Sequence, residues 1–392
     1  MGAVTKTISN TFNRFVASEQ SSGNLLIVCT VFSLGIANSP IGQGYLDLWH
    51  RNVWGLSLEH WTNDALMAIF FLLIGLELER ELYIGELSKL QNALLPVVAA
   101  IGGMVAPALI HFSLNGGTPT QAGIGIPMAT DIAFALGVLA ILGNRVPAAL
   151  KVFVVAFAVI DDLGAIVIIA VFYTAQLSLW YLAGALAVWM FLLLLNRRYR
   201  VMSLFPYLSG GVLMWYLMLN AGIHATISGV MLAFAIPFSD RDDDEESPSH
   251  RLENVLHNPV AFIVLPIFAI ANTGVVIGED WMQGLGSVNS VGIAAGLIAG
   301  KPLGVTFLCF LAVASGICRL PTDLNWSHMI GAGILGGIGF TMSIFITNLS
   351  FSGNPETINA SKLAILLASL TAGVLGFLWL RLLTGPAARD SA

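Results

Sequence analysis

Four ionisable side chains sit where water is scarce: Asp161 and Asp162 in KVFVVAFAVIDDLGAIVIIAVFY, Asp131 in QAGIGIPMATDIAFALGVLAILG, and Lys301 in VGIAAGLIAGKPLGVTFLCFLAV. A charge at the centre of a lipid-solvated segment costs about 2.5–3.5 kcal/mol, so it faces a cavity or a partner and marks a binding or proton path. Two adjacent carboxylates double that cost, and their own segment holds no counter-charge beside them. Carboxylate oxygens take either a hard cation or a proton, and the two exclude each other. Three chemistries suit such a set: exchange of a cation for protons, passive cation conduction, and activation of water by an intramembrane aspartate pair. The last wants carboxylates facing each other from separate segments, whereas neighbours in one helix point about 100° apart. Asp131 with Asp162 could supply that geometry, but a buried lysine alongside favours keeping both ionised. A magnesium-dependent transferase would want further acidic residues at helical spacing, and DDLGAIV has none. Conduction needs a continuous polar path, whereas these charges cluster at one depth.

The rest of the chain says what holds them. Of 392 residues, 56% are hydrophobic and 10% charged, against roughly 45–50% and 25% in an ordinary globular chain. A mean hydropathy of +0.82 leaves more apolar surface than a water-facing core hides, which excludes a soluble enzyme. The net charge of −6 and the lack of a basic stripe exclude nucleic acid as a partner. Cys29, Cys309 and Cys318 show neither paired nor metal-type spacing. The expected architecture is an all-α polytopic membrane protein with about twelve apolar runs long enough to cross a layer of about 30 Å. They lie near 24–39, 60–84, 92–114, 121–143, 147–174, 179–195, 203–219, 222–237, 254–276, 289–314, 327–350 and 357–384.

Two of these runs are expected to break. Pro127 lacks an N–H and crowds the carbonyl four residues back, which opens the helix near Met128–Asp131. Asp131, or Thr130, can cap the second half. The other run holds Gly331, Gly333, Gly336, Gly337 and Gly339. Its literal G-x-G-x-x-G follows no strand and lies in an apolar span, so a dinucleotide site is rejected. Close helix packing or a second break accounts for the glycines. Broken ends expose partial charges of about half an electron; Asp131 can offset N-terminal ends and Lys301 C-terminal ends.

Outside the runs, residues 1–23 read as an amphipathic helix lying on the membrane. Residues 45–61, YLDLWHRNVWGLSLEHW, alternate about a turn near Arg51 and Asn52 and read as a β-hairpin outside the bilayer. Of the 17 basic residues, all but Arg51, Lys301 and Lys362 fall on one face of a twelve-span arrangement, which places both termini and the acidic stretch Ser239–Arg251 in the cytoplasm. Asp64, after Thr62 and Asn63, reads as a helix cap, and His224 as a packing residue.

The segments IPMATDIAFALG, AVIDDLGAIVIIA, AGIHATISGV, GKPLG and GIGFTMSIF, with GLELEREL and RLENVLH, resemble in sequence and order the NhaA family of sodium/proton antiporters. The resemblance implies inverted-topology repeats with two broken, crossing helices. It implies a core formed by 92–174 and 289–384, an interface domain formed by 24–91 and 175–276 and carrying the hairpin, and a C-terminal tail at 385–392. It further implies a homodimer in the lipid bilayer of a bacterial inner membrane, with no cofactor. Sodium, and lithium beside it, would leave in exchange for protons, electrogenically and with activation at alkaline pH. By the same resemblance Asp162 is the principal sodium ligand, Asp161 a second one able to pair with Lys301, and Thr130 and Asp131 line the site. Glu77, Glu81, Glu253 and His257 match the family's pH-sensing cluster. Asn254 stands where well-known members have histidine, a departure that bears on the pH profile.

Overall fold

The computed structural model describes residues 21–173, 177–239 and 247–383. The amphipathic segment expected over 1–23 lies outside them as far as residue 20, as do the acidic residues 240–246 and the tail at 385–392. Nearly everything described is helical, as it must be where no water can satisfy a backbone amide. Among the described residues, seven helices are long and apolar enough to cross a membrane: Asn92–Asn115, Gln121–Leu142, Ala148–Ala170, Leu179–Arg197, Pro248–Asn272, Val288–Ala314 and Pro355–Leu383. The pairs Ser21–Ala37 with Gly42–His50, bent by 112°, and Trp326–Gly336 with Phe340–Ser350, bent by 43°, bring the number to nine if each counts as one span.

The chain divides into two compact units. One comprises the described residues as far as Val31, Leu90–Ala165, and those from Val275 onward; the other comprises Phe32–Lys89 and Ile166–Gly274. The first is built around Leu136, Leu139, Phe153, Phe157, Leu335 and Leu380. Lipid is as apolar as leucine, so its helices associate through close packing of small residues. Helix Leu90–Asn115 and helix Lys301–Ala314 touch backbone to backbone: a Cβ on Gly102 or on Gly304 would fall onto the other residue's carbonyl oxygen. Gly331 packs against Leu380, Gly333 against Pro302 and Gly336 against Phe157, so that glycine run serves close packing. Gly304→Val is therefore expected to push these helices apart at a cost of about 1–3 kcal/mol. The check is thermal unfolding in detergent; a wild-type midpoint would contradict the contact.

The second unit has its own core of Leu72, Leu76, Tyr207, Met214 and Leu232. Here the sequence expectations need three corrections. The hairpin is confined to Asn52–Val53 and Leu56–Ser57, antiparallel, with Val53 opposite Leu56. Gly42–His50 is helix, so the apparent alternation over 45–50 was the face of a helical turn. The turn falls at Trp54 and Gly55, both at positive φ of 53° and 89°, the conformation that a two-residue hairpin loop requires. Next, Asp64 does not cap: the helix begins earlier, where the Ser57 hydroxyl accepts the His60 amide at 3.1 Å, and Asp64 lies within a π-helical stretch, Trp61–Leu66. Finally, the run expected over 222–237 is regular helix only at Ile227–Ala233, after Gly222 ends the preceding helix in the left-handed conformation at φ 80°.

Two further π-helical stretches, Val260–Val264 and Gly296–Gly300, stand at the same distance before a proline, Pro266 and Pro302. Proline cannot donate to the carbonyl four residues back and crowds it, and the widened turn relieves both faults. The second stretch leads directly into Lys301.

Candidate functional site

The first unit gathers the charges that hydropathy singled out. Gln121–Met128, which contains Pro127, is wound as a 3₁₀ helix, Ala129 is extended, and an α-helix resumes at Ile132–Leu142. Facing it, helix Trp326–Gly336 stops and helix Phe340–Ser350 starts after Gly337–Gly339. Both interruptions free backbone groups in an interior where an orphaned amide or carbonyl costs about 1–3 kcal/mol. They satisfy one another. The Asp131 amide donates to the Ile338 carbonyl at 2.6 Å, the Thr130 hydroxyl to the Gly336 carbonyl at 2.9 Å, and the Ser343 hydroxyl to the Ile126 carbonyl at 2.7 Å.

One carboxylate serves two helix starts. Asp131 Oδ1 accepts the Phe134 amide at 3.1 Å, the N-cap bond of its own helix. Its Oδ2 accepts both the amide and the hydroxyl of Thr341, at 3.1 and 2.6 Å, at the start of the other helix. A negative charge there meets the positive ends of both dipoles.

Lys301 and Asp161 form an ion pair at 2.5 Å, both side chains fully buried. The ammonium also donates to the Thr130 hydroxyl at 2.9 Å and lies 5.5 Å from the centre of the Phe157 ring, within range of a cation–π attraction. Lys301 thus meets the C-terminal end of helix Trp326–Gly336 through Thr130, whose own proton goes to Gly336. Asp161 gives one oxygen to the lysine; its Oδ1 is buried without a hydrogen bond to a described residue. Asp162 is 2% exposed on the same turn. Sequence reading missed Thr341, Ser343 and the carbonyls of Gly336 and Ile338, because neutral groups leave no mark on a hydropathy profile.

The second unit assembles the other set. His257 Nδ1 lies 3.8 Å from Glu77 Oε1. Arg80 Nε donates to Glu253 Oε1 at 2.8 Å, and Arg80 Nη1 lies 3.4 Å from Glu81. Glu79, also buried, accepts from the Ser249 hydroxyl at 3.2 Å. Arg80 is the hub of this cluster and had not been singled out, since a basic residue near a helix end is unremarkable by sequence. His224 donates from Nε2 to the Tyr173 carbonyl at 3.0 Å, a satisfied packing contact.

A second buried polar network lies in the first unit. Ser361 donates its only hydroxyl proton to Thr357, so Asn289 must present its amide NH₂ to Ser361, at 2.8 Å. Its Oδ1 then accepts from His111 Nε2 at 3.1 Å, which places a proton on Nε2 of that fully buried histidine. Gly123 and Gly292 make room for the ring, a Cβ on either coming within 3.1 Å of it.

The Na+/H+ antiporter 1 family model matches residues 13–380. Among curated proteins, the Na(+)/H(+) antiporter NhaA of Dechloromonas aromatica is 69% identical over 373 residues, covering 95% of this chain and 96% of that protein. The protein of the same name from Cytophaga hutchinsonii is 56% identical, covering 96% of both, and that from Mesorhizobium japonicum is 48% identical, covering 93% of both. With the match extending over nearly the whole sequence, the chain belongs to the Na+/H+ antiporter 1 family.

Proposed function

We propose that this chain is a secondary transporter that exports sodium in exchange for protons across a bacterial inner membrane. The observation that carries the reading is the buried Asp161–Lys301 pair beside Asp162 and between two interrupted helices. Sodium, the cargo, is a hard cation suited to carboxylate, hydroxyl and carbonyl oxygens. Asp162 is its principal ligand. Asp161 becomes the second when sodium replaces the Lys301 ammonium, and Thr130 lends an oxygen. Asp131 fixes the two helix starts and lines the site. A cation enters only when the carboxylates have given up their protons, so proton and sodium occupancy alternate. Opening the site to one side and then the other couples the two gradients.

The finer reading goes with this. The transporter has about twelve spans arranged as inverted repeats with two crossing broken helices, 92–174 and 289–384 forming the core and 24–91 and 175–276 the interface domain. It is a homodimer with both termini in the cytoplasm. Lithium is a second cargo, and two protons per cation make the exchange electrogenic. Glu77, Glu81, Glu253 and His257, organised by Arg80, set an alkaline activation; the order they make across two helices supports that role.

The test is proton flux in everted membrane vesicles: energise them, then add sodium, lithium or potassium at several pH values. Collapse of the pH gradient with sodium and lithium, growing toward alkaline pH, is the expected result. Sodium flux with no proton counterflow would replace antiport by conduction, and no cation-linked proton movement at any pH would overturn the reading.

A further inference from the structure

Helix Phe340–Ser350 begins at the site without a cap of its own. Its first flanking residue is Gly339, and no side chain within the segment accepts its leading amides. Three amides at that end point into the protein interior, where unsatisfied donors are costly. The Thr341 amide goes to Asp131. The other two go to one atom: Ser369 Oγ, on helix Pro355–Leu383, accepts the amides of Gly339 and Phe340, each at 3.2 Å. Ser369 is 7% exposed. A serine thirty residues away in sequence therefore does what an N-cap serine does in its own helix.

The helix that carries it lies close against the break. A Cβ on Gly337 would come 3.2 Å from the Ala372 methyl, Gly373 lies beside Ile338, and Gly376 against Leu335. Small residues on that face bring the Ser369 hydroxyl near enough to reach two consecutive amides. Thr341, the next residue along, holds Asp131 Oδ2 with both its amide and its hydroxyl. Asp131 in turn adjoins Thr130, which links Lys301 to Gly336.

The geometry points to Ser369 as a positioning residue for cation binding: a cap supplied from a neighbouring helix that fixes the Gly339–Thr341 turn, and through Thr341 and Asp131 the oxygens that surround the cation. It rests on the transport reading above and adds to it a residue that touches neither the ion nor any charged group of the site. A hydroxyl is suited to this place. It accepts two amides at once without adding charge to a site whose balance already rests on Asp131, Asp161, Asp162 and Lys301.

The experiment is the sodium dependence of proton flux in everted vesicles for wild type, Ser369→Ala, Ser369→Cys and Ser369→Thr, with the amount and thermal midpoint of each purified protein. Losing one or two net hydrogen bonds sets the scale: the apparent KM for sodium should rise about five- to tenfold in S369A while the maximal rate per folded protein is kept. S369T, which retains the hydroxyl, should stay near wild type, and S369C, similar in size but a weak acceptor, should resemble S369A. Should S369A not accumulate, S369C gives the same reading with packing preserved. An unchanged KM in S369A and S369C, whether or not the proteins are less stable, would overturn the proposal and leave the transport reading standing. Absence of cation-dependent flux in wild type would instead remove the transport reading itself.

Discussion

In Asp162→Asn, cation-dependent proton movement is expected to fall to background while the protein still folds. Asparagine keeps the shape of the side chain and one carbonyl oxygen, so the packing around this 2% exposed position is undisturbed. It removes the two properties that exchange requires, a formal negative charge for the cation and a proton that can leave. Asp161 alone does not replace it: it is the second ligand, and sodium must first displace the Lys301 ammonium from its carboxylate. Vesicle flux at saturating sodium across the alkaline range, with size-exclusion chromatography and a thermal melt on the purified variant, decides the matter. Residual sodium-dependent exchange at more than a few per cent of wild type in a well-folded variant would move the principal ligand elsewhere.

The second large effect is on stability. Lys301→Met is expected to destabilise the protein by about 3–5 kcal/mol, because it leaves the Asp161 carboxylate buried and unpaired. The lysine is fully buried, as is its partner, so water does not rescue the orphaned charge. Thr130 also loses a donor. Combining Lys301→Met with Asp161→Asn removes both charges, and the double variant should recover most of the lost stability, since a buried pair replaced as a unit is often neutral. Exchange should not recover with it if Asp161 and Lys301 take part in ion and proton handling. A thermal-melt double-mutant cycle measures the coupling. A single variant as stable as wild type would mean that the pair contributes little to the fold, and full activity in the double variant would make it purely structural.

The sequence determined this much: a charge in an apolar run is a local cost, visible from the run alone. Asp161, Asp162 and Lys301 were legible for that reason, and Asp131 because Pro127 marks a break in its helix. The extent of most helices was legible too, since length and hydropathy are properties of a segment. The residues 45–50 were misread because six residues alternating in polarity fit a strand and a short helix equally well. Asp64 was misread because Ser57, a better cap, lay about two turns earlier. The π-helical stretches before Pro266 and Pro302 were invisible, as one extra residue in a turn changes no composition.

What only the tertiary structure decided is partnership. The Lys301–Asp161 pair was implied by the family resemblance, but that Lys301 also reaches Thr130, Asp131 reaches Thr341 and Arg80 joins Glu253 was not. Each is a contact between segments far apart in the chain, fixed by which helix faces touch. The hydroxyls of Thr341 and Ser369 were silent for a further reason. A serine or threonine in an apolar helix can satisfy itself on the carbonyl one turn back, as Thr347 and Ser350 do here. Nothing in the sequence distinguishes such a residue from one that caps a broken helix at the centre of the site.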